Sequence, residues 1–206
     1  MELLKPAEIE QRSFAIIQEI LGDRKLDPVQ EPIIKRCIHT SADFDYVENL
    51  TFSDHVVEEC LEALRRGADI VTDTQMAKSG INKRILGDLG GEVHCFMSDE
   101  DVASEAKARG ITRASVSMEK AAKLKKPCLF AIGNAPTALL TLDRLVREEG
   151  FRPVAIIGVP VGFVHVVESK EAILELPVPS IIARGRKGGS NIAAAICNAL
   201  LYQIKR

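Results

Sequence analysis

From Leu50 onward, short runs of β-forming residues alternate with amphipathic helical segments, and this alternation constrains the fold more than any other feature of the chain. Parallel strands need a crossover connection, which a helix usually supplies, so the alternation is typical of a parallel α/β sheet. The run 154–159 is nearly all apolar, as expected of a strand that helices cover on both faces. We therefore expect an α/β chain in which residues 154–159 form a central strand.

The same patterns predict the other elements. Strands are predicted over residues 50–52, 69–72, 92–96, 114–116, 127–132, 154–159 and 180–183. Helices are predicted between them, over residues 56–66, 81–89, 100–109, 119–125, 137–149, 169–176 and 191–204. Two N-terminal helices come before the first strand: one begins at Pro6 and ends near Gly22, and Asp27 and Pro28 start the other. Strand order stays open at this point.

Length and charge exclude several classes of protein. A chain of 206 residues with 46% hydrophobic residues and no Pro/Gly/Ser-rich linker predicts one domain over residues 1–206. The formal net charge of -2 gives no overall attraction to nucleic acid or to an anionic membrane. With 4% aromatic residues and no Trp, a base-stacking surface is also disfavoured. We expect neither nucleic acid nor a membrane as a partner.

The cysteine and histidine patterns predict a cytoplasmic protein with no metal site. The 5 cysteines are odd in number, widely spaced and set in apolar segments, which is typical of reduced core thiols. The N-terminus lacks the pattern of a secretory signal, and no apolar run is long enough to span a membrane. The 4 histidines form no pair at helical spacing, and Cys-x-x-Cys and Gly-x-Ser-x-Gly motifs are absent.

A histidine at the end of the second helix is a candidate acid or base. Apolar residues recur at three- and four-residue intervals over 29–38, and the helix that they predict leaves Arg36 and His39 at its C-terminal rim. Asp43 and Asp45 follow in the next loop. Since the unperturbed pKa of histidine lies near neutrality, His39 could transfer a proton there. The alternative is that His39 only caps the helix, where the negative end of the dipole favours its charge.

Small and polar residues follow several of the predicted strands. Ligands of open parallel sheets bind beyond the carboxyl ends of the strands, so these segments are candidate binding loops. They are Asp-Thr-Gln-Met at 73–76, Gly-Asn-Ala-Pro-Thr at 133–137, Pro-Val-Gly-Phe at 160–163 and Arg-Gly-Arg-Lys-Gly-Gly-Ser at 184–190. Plain loop chemistry remains the alternative for each of them.

The last of these loops is the best candidate anion site. Its glycines allow the backbone to approach a ligand closely, while Arg184, Arg186 and Lys187 supply positive charge. Ser190 or Asn191 could cap the following helix, whose N-terminus faces the same space. The loop matches neither the Walker nor the dinucleotide fingerprint, so carboxylates and phosphates both fit. A solvated basic turn is the alternative interpretation.

Taken together in order, five sequence blocks resemble the precorrin-8X methylmutase family, including its cobalt-precorrin-8 branch. The blocks are His-Thr-Ser-Ala-Asp-Phe-Asp-Tyr at 39–46, Asp-Thr-Gln-Met at 73–76, Gly-Asn-Ala-Pro-Thr at 133–137, Gly-Val-Pro-Val-Gly-Phe at 158–163 and Arg-Gly-Arg-Lys-Gly-Gly-Ser-Asn at 184–191. The resemblance implies a flavodoxin-like, three-layer α/β/α fold and a homodimer with active sites near the subunit interface. It also implies a role in corrin ring synthesis for cobalamin.

The resemblance further implies a reaction and a site. The reaction is the shift of a methyl group from C-11 to C-12 of precorrin-8 or cobalt-precorrin-8, with no cofactor and with His39 as the general acid. Ser13 and Arg36 are placed at the tetrapyrrole substrate by the resemblance. With the residues from the strand-end segments, the predicted substrate-binding set is Ser13, Arg36, Asp73, Gln75, Asn134, Gly162, Arg184, Arg186, Lys187, Gly188 and Ser190. Met76, Val161 and Phe163 are expected to form an apolar wall.

Two other functions stay open on the sequence alone. A corrinoid carrier would share every binding feature and would need no acid at His39. A flavodoxin-like enzyme of nucleotides or phosphosugars would use the 184–190 loop for phosphate. Whether the natural substrate contains cobalt is also open.

Overall fold

The computed structural model describes residues 6–205 of the chain. The N-terminal sequence was predicted to lack a secretory signal, and residues 1–5 of that sequence lie outside the described residues. Within residues 6–205, no helix is both long enough and apolar enough to cross a membrane.

One mixed sheet lies at the centre of the fold. Its strands are β1 (Leu50–Phe52), β2 (Asp69–Thr72), β3 (Val93–His94), β4 (Cys128–Ile132), β5 (Ala155–Gly158) and β6 (Ser180–Ala183). They lie in the order β1-β6-β5-β4-β2-β3, and every neighbouring pair is parallel except β1 with β6. When only the parallel strands β2 to β6 are numbered, as 1 to 5 in chain order, their order in the sheet starting from β3 is 2-1-3-4-5. This is the order of the flavodoxin fold. The predicted central position of residues 154–159 is confirmed, because β5 lies between β4 and β6.

Helices cover both faces of the sheet. They are α1 (Pro6–Leu21), α2 (Glu31–Ser41), α3 (Tyr46–Asn49), α4 (Val56–Arg65), α5 (Gln75–Gly80), α6 (Lys83–Asp88), α7 (Glu100–Arg109), α8 (Arg113–Ala121), α9 (Pro136–Glu149), α10 (Val166–Leu174) and α11 (Ser190–Ile204). Alternate residues of the strands face opposite layers. In β4, Leu129 packs in the core formed with α2, α4 and α11, whereas Phe130 packs in the core formed with α8, α9 and α10. The predicted three-layer α/β/α fold is therefore confirmed.

Some local predictions were wrong, and capping explains the clearest case. Residues 114–116 were predicted as a strand but lie in α8. The Thr112 hydroxyl accepts a hydrogen bond from the Ser115 amide at 3.1 Å, which starts a helix across the short apolar run. The helix predicted over 119–125 is consequently only the end of α8. In the same way, Thr74 accepts from the Ala77 amide and starts α5, a helix that the patterns did not predict.

The start of α2 also differs from the prediction. The Asp27 carboxylate accepts hydrogen bonds from the amides of Val29 at 2.9 Å and Gln30 at 3.2 Å. These bonds hold a turn, and the helix begins after it, at Glu31, with Pro32 in its first turn. The helix end is as predicted, so His39 lies in the last turn.

The strand order creates a crevice at the carboxyl ends of the parallel strands, here termed the sheet edge. The chain leaves β2 into α5, which packs with the layer of α11, and leaves β4 into α9, which packs with α8 and α10. Neighbouring strands whose helices leave to opposite faces define the point where ligands of this fold class bind. The segments that follow β2 and β4 are those that begin at Asp73 and Gly133.

Candidate active site

The carboxylate of Asp73 links the two loops at this crevice. The Asp73 side chain is fully buried. One of its oxygens accepts a hydrogen bond from the Gly133 amide at 2.8 Å, and the other accepts from Asn134 at 2.8 Å and Ala135 at 2.6 Å. Burial raises the pKa of Asp73, and the three amides oppose that rise. Asp73 thus lies beneath the candidate site, and a direct contact with substrate would require these bonds to open.

The loop after β6 packs against the loop after β4. The hydroxyls of Thr74 and Ser190 are 2.8 Å apart, so the segment after β2 also joins this contact. Gly133 faces the backbone of Ser190 so closely that a Cβ at position 133 would lie 2.6 Å from the Ser190 Cα. Gln75 and Asn134 are exposed beside this contact. The structure therefore brings together the predicted residues Asp73, Gln75, Asn134 and Ser190.

The loop after β5 completes the edge. The Gly189 amide donates to the Val159 carbonyl at 2.8 Å, and the Gly162 amide donates to the Arg186 carbonyl at 3.1 Å. Gly188 adopts a φ of +155°, and a Cβ there would lie 2.0 Å from the Val159 carbonyl oxygen. Gly162 and Gly188 thus hold two loops together, while Met76, Val161 and Phe163 expose large apolar side chains at the same edge.

The three cations of the 184–190 loop differ in how they are neutralised. The Arg184 guanidinium forms a bidentate pair with Glu171 on α10, at 3.0 and 2.7 Å. The Lys187 ammonium lies 2.7 Å from Asp43 and 2.5 Å from Asp45, and its hydrogen bond lowers the pKa of the Asp43 carboxyl. Arg186 forms no ion pair with any residue in the range 6–205, and its guanidinium lies 6.0 Å from the centre of the Phe163 ring. Arg186 is therefore the cation best placed to bind an external anion.

The imidazole of His39 is exposed and stacks on an aromatic ring. Its centre lies 5.1 Å from that of the Phe14 ring, at an interplanar angle of 11°. The end of α2 is closed by the backbone, because the Ala42 amide donates to the Ile38 carbonyl at 2.7 Å. Asp43 and Asp45 were expected beside the imidazole but pair with Lys187 instead. These ion pairs tie the loop after α2 to the 184–190 loop, here termed the cationic loop.

Arg36 and Ser13 lie on the α1 side of His39. The Arg36 guanidinium binds the Glu10 carboxylate at 2.7 Å and lies over the rings of Phe14 and Tyr202, at 4.9 and 5.2 Å from their centres. It lines a groove of 620 Å³ between α1, α2 and the end of α11. The Ser13 hydroxyl donates to the Ile9 carbonyl at 2.8 Å within its own helix. Arg36 and His39 therefore contact the same ring, as expected from their shared helix face.

The predicted residues thus form two groups. Ser13, Arg36 and His39 lie along α1 and α2, and the others lie at the sheet edge. The ion pairs of Lys187 with Asp43 and Asp45 connect the groups within one chain. Sequence patterns did not reveal Phe14 as the ring that His39 contacts. Phe14 lies on the same face of α1 as the buried residues Ile17 and Leu21, so its only sequence signal is that of a core residue.

Comparison with known proteins identifies the family of the chain. The family model described as Precorrin-8X methylmutase matches residues 8–203. A cobalt-precorrin-8 methylmutase of Salmonella typhimurium is 47% identical, over 98% of this chain and 97% of the relative. Another, from Priestia megaterium, is 45% identical, over 96% of this chain and 88% of the relative. A solved structure of the precorrin-8X methylmutase of Thermus thermophilus superimposes with a TM-score of 0.87 at 37% identity, covering 95% of this chain and 96% of that one.

These matches extend over nearly the whole chain and show that it is an isomerase. The chain belongs to the precorrin-8X methylmutase family.

The close approach at Gly133 predicts the effect of a single methyl group. Gly133→Ala should lower the free energy of unfolding by about 1–3 kcal/mol, because the new Cβ meets backbone atoms of Gly189 and Ser190 that cannot rotate away. Gly87→Ala is the matched control, since a Cβ there meets nothing within 4 Å. This control should be neutral or stabilising by up to about 1 kcal/mol. Urea unfolding measures both values, and equal effects of the two substitutions would contradict the packing described.

Proposed function

We propose that the chain catalyses the shift of a methyl group from C-11 to C-12 of precorrin-8 or cobalt-precorrin-8 in cobalamin biosynthesis. The product is hydrogenobyrinic acid, or cobyrinic acid when cobalt is present. Membership of the family over residues 8–203 carries this proposal. Two features of the site support it: an exposed imidazole at the end of α2, and a cationic loop connected to the loop that follows that imidazole.

The sheet edge suits a large conjugated ring with carboxylate side chains. The Arg186 guanidinium, which forms no ion pair with residues 6–205, can bind one carboxylate. Gln75, Asn134 and Ser190 offer neutral donors. The exposed side chains of Met76 and Phe163 can cover an apolar face of the macrocycle. The ring would then be held by its periphery, and the protein would act mainly by orienting it.

His39 supplies the chemical step in this proposal. The imidazolium gives a proton to the macrocycle near ring C and thereby withdraws electron density from the conjugated system. The bond from the methyl carbon to C-11 breaks as the bond from that carbon to C-12 forms, and the proton then returns to the imidazole. Atoms and electrons balance, because the product is an isomer of the substrate. Stacking on Phe14 holds the ring plane of His39 while leaving its edge accessible.

The acid role predicts a selective loss of turnover. His39→Ala should reduce the turnover number by about 10²–10⁴-fold, the usual contribution of a general acid, with little change in the affinity for product corrin. Conversion of substrate to cobyrinic or hydrogenobyrinic acid, followed by visible absorption, measures the rate.

His55→Asn is the matched control. His55 is an exposed histidine near the amino ends of the parallel strands, on the other side of the sheet from the crevice. Asn tolerates the φ of 58° found at this position. This variant should keep the wild-type rate. Full activity of His39→Ala would refute the acid role, and tight corrin binding by a wild-type chain that never turns over would instead support a corrinoid carrier.

Glu171 neutralises Arg184, whereas no carboxylate in residues 6–205 neutralises Arg186. This difference predicts that the two arginines contribute unequally to the binding of an acidic ligand. Arg186→Met should raise the dissociation constant of cobyrinic acid by roughly ten- to a hundredfold, as expected when a charged hydrogen-bond partner is lost. Arg184→Met should raise it by less than about threefold, because that guanidinium is already engaged by Glu171 on an exposed surface. Spectroscopic titration measures both constants. A larger effect at Arg184 than at Arg186 would contradict this assignment.

We also propose that the chain acts as a cytoplasmic homodimer. All five cysteines are unpaired and buried, as suits a reducing compartment.

The outer helix α1 packs on α2 and exposes an apolar stripe formed by Ile9, Ile16 and Ile20. A second copy could cover this stripe, and the interface would then lie beside the α1–α2 group that includes His39.

The oligomeric state tests this interface. Sedimentation of the wild-type chain should give a dimer, and Ile20→Lys should shift it to monomer by placing a charge in the apolar stripe. Ile20 is 61% exposed and Leu140, on α9 in the opposite layer, is 40% exposed. Leu140→Lys is therefore the matched control and should leave the dimer intact. A wild-type monomer, or an Ile20→Lys variant with unchanged association, would overturn the proposal.

A further inference from the structure

A buried lysine lies directly beneath the cationic loop. Lys170, on α10, is fully buried, and its ammonium donates hydrogen bonds to the carbonyls of Gly185 at 2.8 Å and Lys187 at 2.9 Å. Within residues 6–205 it forms no ion pair with a carboxylate. Burial of a charge without a counter-ion is costly, so this arrangement calls for an explanation beyond packing.

The peptide geometry gives that explanation. In a trans peptide, the carbonyl of one residue and the N–H of the next point in opposite directions. The described residues contain no cis peptide. When Lys170 binds the carbonyls of Gly185 and Lys187, the N–H groups of Arg186 and Gly188 must therefore point away from α10. Neither N–H has a hydrogen-bond acceptor in the described part of the chain.

We infer that Lys170 is a positioning residue for anion recognition: it holds two carbonyls inward and thereby presents the amides of Arg186 and Gly188 to a substrate carboxylate. The inference rests on the proposed function, which makes that carboxylate one of the acidic side chains of the tetrapyrrole. The two outward N–H groups supply directed hydrogen bonds, and the Arg186 guanidinium, which no carboxylate in residues 6–205 neutralises, supplies positive charge beside them. The carbonyls, which would repel an anion, are turned away from it.

The charge state of the lysine agrees with this role. Burial lowers the pKa of Lys170 to about 8, so the ammonium form predominates at neutral pH. An ammonium has three donors and no acceptor, so it can engage both carbonyls at once. An apolar side chain of similar length would fill the same volume and leave both carbonyls without a donor.

Binding of cobyrinic acid to Lys170→Met and Ser169→Ala tests the inference. Lys170→Met should raise the dissociation constant by about ten- to a hundredfold, as expected when two directed hydrogen bonds to a carboxylate are lost. Ser169 is buried on the same helix, and its hydroxyl donates to the Val166 carbonyl at 3.0 Å. Ser169→Ala removes a buried hydrogen bond without contact to the loop, so it should change the dissociation constant by less than about twofold.

Two further readouts separate positioning from a purely structural role. In a double-mutant cycle, Arg186→Met should have a smaller effect on the affinity in the Lys170→Met background than in the wild type. In the wild-type chain, cobyrinic acid should shift the NMR signals of the Arg186 and Gly188 amides and slow their hydrogen exchange. This second measurement needs no variant, so it tests the inference even if Lys170→Met fails to fold.

The outcomes are distinguishable. If the wild-type chain binds cobyrinic acid but these two amides neither shift nor gain protection, the role of Lys170 is refuted and the proposed function stands. A folded Lys170→Met variant with wild-type affinity would refute it equally. If the wild-type chain binds neither cobyrinic nor hydrogenobyrinic acid, the proposed function itself is overturned.

Discussion

The hydrogen bonds of Asp73 are the interaction on which the rest of the site depends. A fully buried carboxylate at the end of β2 accepts from three consecutive amides at the start of the loop after the neighbouring strand β4, across the point where the sheet reverses its order. The free energy gained from these bonds offsets part of the cost of burying the charge, and the pKa of Asp73 stays raised by burial. Because Gly133 then touches the backbone of Ser190, fixing the loop after β4 also fixes the loop after β6. One side chain thereby sets the relative positions of three loops.

The cationic loop shows how a protein with balanced charge can hold an acidic ligand. Glu171 and the pair Asp43 and Asp45 neutralise two of its cations, which keeps the loop in one conformation, and Arg186 retains its charge for a ligand. The neutralised cations serve the architecture. Lys187 in particular joins the loop to the segment that follows His39, so His39 and the cationic loop share a connection that their sequence positions do not suggest.

Much of this could be predicted from sequence, and the limits have physical causes. The strands were predictable because buried parallel strands are almost uniformly apolar, and the loops were predictable because they follow those strands. Residues 114–116 were predicted wrongly because a Thr cap decides the state of so short a run. Strand order, the partners of Arg184 and Lys187, the ring beneath His39 and the role of Lys170 all depend on contacts between distant segments. A lysine in a helix carries no local signal that it will be buried.

The antiparallel edge strand β1 has a consequence for the assembly of the site. It pairs with β6, and the bond between Ser180 and Ser53 joins positions 127 residues apart. The helix that carries His39 likewise packs against a segment that is synthesised much later, the helix α11, and its docking depends on that helix. Since contacts between such distant segments close late in folding, a growing chain completes the crevice and docks the helix that carries His39 almost together. A chain synthesised only as far as β5 therefore holds an N-terminal helix pair whose partner helix, α11, does not yet exist.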